Sequence, residues 1–426
     1  MRADLIIKNA GQLVTSTGFS LRPKIKSELA ELDVIVDGAL AVAGDKIISV
    51  GTTSDVLKEI ELDSATKVLD AGGKVVLPGL VDAHTHLIFA GSRENELDLK
   101  LRGVPYLDIL AQGGGILSTV KATRKASLED LVQTGIKYAN QMISQGTTTA
   151  EAKSGYGLTV EDEIKMLQAI KEINKYHPID LVPTFLGPHA VPPEYQNHRE
   201  RFVRLVIEEM IPQVGEMKLA EFCDVFCEQG VFTADQSRCM LLTGKEHGMK
   251  VKIHADEIAS IGGSALAAEL EAVSADHLLV IPDKSIELMA KAGVIADILP
   301  ATTFYLKESN FAPARKMIEA GVPIALASDF NPGSCPCNDL HLVMTIGCLY
   351  LRMTPAEVIN AVTINAAHSV CRAKSIGSLE VGKNADIVIF DAPNYQYLPY
   401  RFGSNLVDRV IKNGRVIMGG NNEKNS

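Results

Sequence analysis

Short apolar runs, each followed at once by polar or charged residues, recur through the middle of the chain. Candidate strands begin near Val75, Thr147, Asp180, Asp224, Val251, Val273, Val294 and Pro323. Such runs are typical of parallel strands that are buried on both faces. Between these runs, apolar residues recur at the spacing of a helix. Ser127 and Asp130 predict a capped helix start with an apolar stripe over residues 128–143, and Thr354, Pro355 and Glu357 predict another start.

Eight strands that alternate with helices across residues 75–375 predict a (β/α)8 barrel of the TIM type. A doubly wound open sheet is the competing α/β architecture, and it has a single ligand crevice at its switch point. Residues from the first and last strands of an open sheet would not meet. The candidate site residues described below come from both ends of the strand series, and this favours the barrel.

Both ends of the chain carry a different pattern, in which short strands are separated by Gly, Asp and Asn turn residues. Strands are predicted at residues 5–7, 34–36, 41–43 and 47–50, and again at residues 385–390, 410–412 and 415–417. Asn413 and Gly414 predict a hairpin turn between the last two. We therefore predict a small β-sandwich domain built from residues 1–74 and 376–426, with the barrel in residues 75–375.

The composition excludes several classes of partner. The net charge of −10 leaves no basic surplus for nucleic-acid phosphates. The chain shows neither a membrane-spanning apolar stretch nor an N-terminal secretory signal. Seven cysteines without framework spacing then indicate a reducing cytoplasm. Cys335 and Cys337 are interpreted as structural thiols, because a C-x-C pair without a partner pair is a weak metal signal.

His84 and His86 form the most informative chemical signal in the chain. They follow the apolar residues 75–77 closely, and one residue separates them, so in an extended segment they project to the same side. Neutral imidazoles are good ligands for zinc and iron. An isolated His-x-His pair is more often two structural histidines than a metal site. The metal hypothesis therefore depends on further ligands at other strand ends.

Titratable groups do follow three other candidate strands. His254 comes after residues 250–253, His277 lies just beyond residues 272–275, and Asp329 lies just beyond residues 322–327. The carboxyl ends of barrel strands form one rim, so these side chains are expected to meet the two histidines of the first strand. Each group alone could simply cap the following helix. Four strand ends with the same feature favour a metal-dependent site.

Residues 78–86 resemble the first-strand signature of the amidohydrolase superfamily, and residues 377–386 are similar to its return into the β domain. A closer resemblance, to the imidazolonepropionase family, covers nearly the whole barrel. It is carried by residues 91–94, 113–116, 153–158, 187–190, 254–257 and 328–333. These elements include residues other than the candidate metal ligands, and they distinguish this family from the related deaminases.

The resemblance implies a hydrolase of histidine degradation that opens the ring of 4-imidazolone-5-propanoate to give N-formimino-L-glutamate. It implies one Zn²⁺ or Fe³⁺ ion per subunit, held by His84, His86, His254 and Asp329. The implied substrate-binding residues are Arg93, Tyr156, His189, Glu257, Asn331, Gly333 and Ser334. The implied catalytic residues are Asp329, His277 and Glu257.

The chemistry of that reaction suits these residue types. A guanidinium such as Arg93 can hold the propionate in a bidentate pair, and Tyr156 and His189 would offer hydrogen-bond donors. Water must attack an unactivated carbonyl, which a metal ion makes possible by lowering the pKa of water. Asp329, His277 and Glu257 would then share the proton transfers. The sequence leaves open which of the three acts as acid and which as base.

Several alternatives remain at this point. Binuclear relatives carry a bridging residue at the fourth strand, where Glu228 lies, so a second metal stays open although one is predicted. A ring deaminase, chlorohydrolase or cyclic-amide hydrolase of the same superfamily is the nearest rival. A non-catalytic scaffold would have lost part of the metal set. The expected partner is a small molecule with a carboxylate, and a homodimer is the expected assembly.

Overall fold

The protein, described here as a computed structural model, is defined over residues 1–104 and 114–419. Two sheets organise these residues, one formed by both ends of the chain and one by its middle. Gly113 of the resemblance elements and residues 420–426 of the predicted β domain lie outside the described residues. Within the described ranges, no helix combines the length and apolar character needed to cross a membrane.

The first sheet joins the two ends of the chain. Its strands are β1 (Leu5–Val14), β2 (Val34–Ala43), β3 (Lys46–Thr52), β4 (Lys67–Asp70), β5 (Val75–Pro78), β15 (Ile387–Phe390), β16 (Val407–Lys412) and β17 (Arg415–Met418). Their order is β17-β16-β15-β5-β1-β2-β3, and β4 also pairs with β1. The predicted hairpin forms between β16 and β17, where Asn413 and Gly414 both have left-handed backbone, with φ of 49° and 75°.

The second sheet is a near-closed parallel barrel, as the apolar runs predict. Its strands are β6 (Leu80–Asp82), β7 (Thr147–Lys153), β8 (Asp180–Phe185), β9 (Phe222–Cys223), β10 (Phe226–Cys227), β11 (Lys250–Ala255), β12 (Ser274–His277), β13 (Ile295–Ile298) and β14 (Ile324–Leu326). The short strands β9 and β10 both pair with β11 and share the fourth position. The chain beyond β14 closes the barrel: the Asp329 amide donates to the His84 carbonyl at 3.0 Å, and the His86 amide donates to the Phe330 carbonyl at 2.9 Å.

Two strand predictions are corrected by the structure. The strand predicted to open the barrel near Val75 is β5 of the first sheet, where Pro78 pairs with Ile387 of β15, and the barrel begins at β6. The strands predicted at residues 34–36 and 41–43 are one strand, β2. Gly38, interpreted as a turn residue, continues the pairing on both sides of β2. The division into domains at residues 74/75 and 375/376 stays a prediction.

The first sheet packs directly against the barrel through one of its faces. In β5, Val75 and Leu77 belong to the large apolar core that also fills the barrel region, whereas Val76 belongs to the core of the first sheet. In β15, Val388 and Ile389 divide between the two cores in the same way. Because successive side chains of a strand point to opposite faces, β5 and β15 each contribute side chains to both cores.

Helices cover the barrel and connect its strands, except for the first helix, which packs on β2 and β3 of the first sheet. They are α1 (Thr53–Glu59), α2 (Glu94–Leu101), α3 (Ile116–Lys125), α4 (Leu128–Ser144), α5 (Val160–Tyr176), α6 (Arg199–Leu205), α7 (Ile211–Glu216), α8 (Ala234–Glu246), α9 (Gly263–Glu269), α10 (Asp283–Ala292), α11 (Pro300–Tyr305), α12 (Ala314–Ala320), α13 (Leu340–Tyr350), α14 (Pro355–Ala361), α15 (Ile364–Ser369) and α16 (Tyr397–Tyr400). Both predicted helix starts are confirmed. The Ser127 hydroxyl accepts from the Asp130 amide at 3.1 Å, and the Thr354 hydroxyl accepts from the Glu357 amide at 3.3 Å.

Candidate active site

Five predicted side chains meet at the carboxyl ends of the barrel strands. His84 and His86 follow β6, His254 lies in β11, His277 ends β12, and Asp329 follows β14. Their exposed fractions lie between 0% and 4%. The ring of His84 lies 4.6 Å from that of His254 and 5.6 Å from that of His277. The Oδ1 atom of Asp329 lies 3.5 Å from His84 Nε2 and 3.4 Å from His86 Nε2.

The backbone is unusual at this rim. His277 and Asp329 have φ of 77° and 54°, and Asp256, next to Glu257, has φ of 51°. Residues with a side chain adopt this left-handed conformation rarely, and the cost is of order 1–3 kcal/mol each. The surrounding barrel therefore holds these strand ends in a conformation that the residues would not choose on their own.

Two buried carboxylates orient two of the histidines. The Oδ2 atom of Asp276 lies 2.6 Å from His84 Nδ1, and the Oδ2 atom of Asp224 lies 2.9 Å from His254 Nδ1. An imidazole whose Nδ1–H faces a carboxylate presents the lone pair of its Nε2 atom on the opposite edge. Among the described residues, neither the His84 nor the His254 Nε2 atom has a hydrogen-bond partner, although both are buried.

The donor atoms at this rim fit a metal ion. The ligand atoms of His84, His86 and Asp329 lie within 4.8 Å of one another, and so do those of His84, His254 and His277. Imidazole nitrogens with a carboxylate oxygen are a donor set that suits zinc and iron alike. Two buried nitrogens without another partner, each on a ring whose Nδ1 atom lies beside a carboxylate, are what a metal ligand requires.

A buried lysine lies beneath the histidines. The Nζ atom of Lys153 lies 2.7 Å from Asp224 Oδ2, 2.9 Å from Glu151 Oε2 and 3.5 Å from Asp276 Oδ2. Burial alone would raise the pKa of Asp276, but Lys153 and His84 beside it hold that pKa below its usual range. Asp276 therefore stays ionised and can accept a hydrogen bond from the Nδ1–H group of His84. Sequence reasoning assigned no role to Asp224, Asp276 or Lys153. Charged residues within fully buried strands were the available signal.

Tyr156 and His189 line one side of the histidine cluster. The His189 ring stacks on His86, with 4.9 Å between centroids and 12° between planes, and the Tyr156 ring lies 5.3 Å from His189. Burial, together with His86 and His254, lowers the pKa of His189 well below its usual range. Its Nδ1 atom lies 3.0 Å from the Gly155 carbonyl, which can only accept. A neutral ring held in this way presents an acceptor at Nε2, whereas the sequence predicts a donor, and the substrate contact of His189 stays a prediction.

Arg93 lies against the loop that follows Asp329. Its Nε and Nη2 atoms lie 3.0 and 2.8 Å from the Glu96 carboxylate oxygens. A Cβ atom on Gly333 would come within 1.8 Å of Arg93 Nη1, so only glycine allows this approach. The Asn331 Oδ1 atom accepts from the Gly333 and Ser334 amides at 2.9 and 2.8 Å. These amides point inward to Asn331, and direct substrate contact by this loop stays a prediction.

Glu257 faces His277 across the rim. Its Oε1 atom lies 3.6 Å from His277 Nδ1, and burial raises the pKa of Glu257. The carboxylate of Glu228 lies behind it and accepts from the Ile258 amide at 2.9 Å and the Ala259 amide at 3.0 Å. None of the groups of potential metal ligands found among the described residues includes Glu228. The geometry therefore supports an anchoring role for Glu228 and gives no support to a second metal there.

Known proteins resemble this chain over almost its full length. The model of the amidohydrolase family matches residues 75–417. The imidazolonepropionase of Alkaliphilus metalliredigens (strain QYMF) is 56% identical over 98% of this chain and 99% of that protein. The imidazolonepropionase of Fusobacterium nucleatum subsp. nucleatum is 52% identical, again over 98% of this chain and 99% of that protein.

Two solved structures share the fold at low sequence identity. An adenosine deaminase from Xanthomonas campestris with bound zinc is 19% identical with a TM-score of 0.72, covering 98% of this chain and 94% of that one. The guanine deaminase of E. coli is 16% identical with a TM-score of 0.73, covering 98% and 99%. Sequence identity this low shows only that the fold is shared, whereas the two relatives above show the family. The chain belongs to the amidohydrolase family and, within it, to the imidazolonepropionases.

Proposed function

We propose that the protein hydrolyses 4-imidazolone-5-propanoate to N-formimino-L-glutamate in histidine degradation. The observation that carries the substrate assignment is Arg93, whose guanidinium is held by Glu96 against Gly333. Gly333 belongs to the loop that follows Asp329, so the guanidinium lies at the end of the barrel that carries the histidines. A largely buried guanidinium beside such a rim suits a substrate that carries a carboxylate.

A Zn²⁺ or Fe³⁺ ion held by His84, His86, His254 and Asp329 would act as a Lewis acid, lowering the pKa of water and polarising the ring carbonyl. Asp329 accepts the proton that the attacking water loses. Thr302 donates to the Oδ2 atom of Asp329 at 2.7 Å, and the Oδ1 atom faces the histidines. Burial opposes ionisation, but His84 and His86 hold the pKa of Asp329 well below its usual range. The carboxylate is therefore ionised at neutral pH.

His277 and Glu257 complete the proton transfers. His277 stabilises the carbonyl oxygen as it gains charge, because its ring lies 5.6 Å from His84 and 5.2 Å from His254, over the donor cluster. Glu257, whose pKa is raised by burial, protonates the leaving ring nitrogen. One C–O bond forms and one ring C–N bond breaks, with one water consumed and no ammonia released.

The remaining residues orient the substrate. Arg93 pairs with the propionate, the Tyr156 hydroxyl donates to a ring heteroatom, and the Nε2 atom of His189 accepts from a ring N–H. The stacking of His189 on His86 fixes the direction of that acceptor relative to the donor cluster. A substrate held in this way has its carbonyl already oriented toward the attacking water, so the entropy cost of alignment is met on binding.

The decisive experiment is incubation of metal-loaded protein with 4-imidazolone-5-propanoate. We expect loss of the ring absorbance and an equal amount of N-formimino-L-glutamate, with no ammonia. The metal-loaded Asp329→Asn variant serves as the control for spontaneous ring opening. Ammonia release from guanine or adenosine, with the imidazolone left intact, would favour the deaminase alternative instead.

We also propose that the enzyme works as a homodimer in the cytoplasm. All seven cysteines are free thiols, and this agrees with a reducing compartment. The chain has a mass of 45.9 kDa, so light scattering of the purified protein should give twice that value. A mass of one chain at working concentrations would contradict the dimer.

A further inference from the structure

A buried glutamate in α5 lies behind the turn that carries Tyr156. Glu163 has no exposed surface. Its Oε2 atom accepts from the Gly155 amide at 2.9 Å, and its Oε1 atom accepts from the Gly157 and Leu158 amides at 2.8 Å each. Three amides of one short turn thus converge on a single carboxylate. Hydrogen bonds to an ionised acceptor are roughly twice as strong as those between neutral groups.

The backbone of this turn is unusual, and at Leu158 it is strained. Gly155 has φ of 112° and Leu158 has φ of 55°, both in the region that residues with a side chain avoid. A Cβ atom on Gly155 would lie 2.9 Å from both the Nδ1 atom of His189 and the carbonyl oxygen of Leu186. The turn is thus pressed closely against the His189 segment, and local conformational preference does not account for its shape.

The same turn connects Tyr156 to His189. Gly155 donates its amide to Glu163 and accepts the Nδ1–H of His189 through its carbonyl, at 2.9 and 3.0 Å. Tyr156 is the next residue along the chain. A single residue, Gly155, thus links the Glu163 carboxylate to both side chains that stand beside the His86 ring, at 5.8 Å for Tyr156 and 4.9 Å for His189.

We propose that Glu163 is a positioning residue that sets the Tyr156 hydroxyl and the His189 Nε2 acceptor against the substrate ring. The proposal rests on the proposed function, which gives those two side chains to the substrate. Glu163 touches none of the proposed metal ligands. Loss of its charge should therefore loosen substrate binding and leave the metal in place.

Two substitutions in the same helix separate this role from general helix stability. Glu163→Gln keeps the size of the side chain, but its NH₂ group cannot accept from the amide that faces it, so at least one of the three hydrogen bonds is lost. Glu161→Gln is the matched control. Glu161 is exposed and stands in the same first turn of α5. Its replacement by Gln removes the same charge from the helix N-terminus.

Amide hydrogen exchange on the metal-loaded proteins tests the anchor without any substrate. In Glu163→Gln we expect exchange at residues 155–158 to be about tenfold faster or more, the effect of losing one charge-assisted hydrogen bond. Glu161→Gln should exchange like the parent protein there, and bound metal should be equal in all three. Unchanged exchange at the turn in Glu163→Gln would overturn the proposal.

A double-mutant cycle then tests whether the effect passes through Tyr156. Glu163→Gln should raise KM for 4-imidazolone-5-propanoate about tenfold in the parent protein and less than about threefold in a Tyr156→Phe background, because coupled residues are not additive. If the two substitutions instead raise KM by factors that multiply, Glu163 does not act through Tyr156, and that part of the proposal is overturned. A parent protein that leaves the imidazolone intact would overturn the proposed function, whereas the exchange data would still report whether Glu163 holds the turn.

Discussion

The floor and the wall of the candidate site are built in different ways. The floor consists of the histidines and carboxylates at the strand ends together with the buried charges below them, among which Lys153 bridges Asp224 and Asp276. Its side chains come from strands far apart in sequence, and they hold one another through side-chain contacts between strands. The barrel geometry itself positions the floor.

The wall consists of Arg93, Tyr156, His189, Glu257 and the loop of residues 331–334. Three of its members are held by glutamates. Glu96 pairs with Arg93, and Glu163 accepts from the turn that carries Tyr156, both from nearby sequence. Glu228, about thirty residues away in sequence, accepts from the turn that follows Glu257. The wall is thus held by separate contacts, one for each loop. Changes to the proposed metal ligands of the floor should affect metal and turnover together, whereas changes in the wall should affect substrate and leave the metal bound.

The largest effect is expected from removing a floor ligand. His254→Ala or His84→Ala deletes a nitrogen that has no other buried partner, so bound metal and turnover should both fall to background. Metal analysis and activity of the purified variants provide the measurement. His198→Ala, an exposed histidine far along the chain, is the control. Full occupancy with full activity in either ligand variant would refute the site.

Proton transfer can be separated from metal binding within the floor. Asp329→Asn keeps the shape but loses the basic charge, and His277→Phe removes the ring nitrogens. We expect kcat to fall by about 10²-fold or more in each, with His277→Phe retaining its metal. Steady-state kinetics and metal content are the measurements. A His277→Phe enzyme with normal turnover would remove that residue from the mechanism.

The wall is tested through the charge of the substrate. Arg93→Ala should weaken binding of 4-imidazolone-5-propanoate by about 2–4 kcal/mol, the range for truncating one partner of a buried charge pair. Arg93→Lys should recover only part of this, because a point charge cannot reproduce the planar fork. Bound metal should stay unchanged. Kinetics on an imidazolone without the carboxylate supply the control, since equal losses on both compounds would assign Arg93 to the fold instead.

The smallest effect tests whether the buried carboxylates belong to the floor. Asp276→Asn keeps the shape but no longer fixes the His84 tautomer by charge, so metal affinity should weaken by about 10–100-fold. Asp283→Asn, an exposed aspartate at the start of α10, is the control. Titration with a competing chelator measures the affinity. Equal affinity in the Asp276 and Asp283 variants would show that the carboxylate does not tune the site.

The pattern of strand ends predicts well which side chains meet in the floor, because the carboxyl ends of all barrel strands lie at one rim. It does not predict that Asp224 and Asp276 orient the histidines, since pairing between strand side chains depends on register. The change of sheet after Pro78 was also missed, because one apolar run serves β5 and continues into β6. The acceptor role of His189 depends on one carbonyl, that of Gly155, which no sequence pattern shows.

The alternation of β5 between two cores has a consequence for how the protein unfolds. Val76 holds the first sheet together while Val75 and Leu77 on the same strand hold the barrel region, so neither core can open without disturbing the strand that leads to His84. We expect the two sheets to melt as one cooperative unit. Cutting the chain into its two predicted domains would expose an apolar surface on each of them. Loss of the metal site and aggregation should therefore occur together.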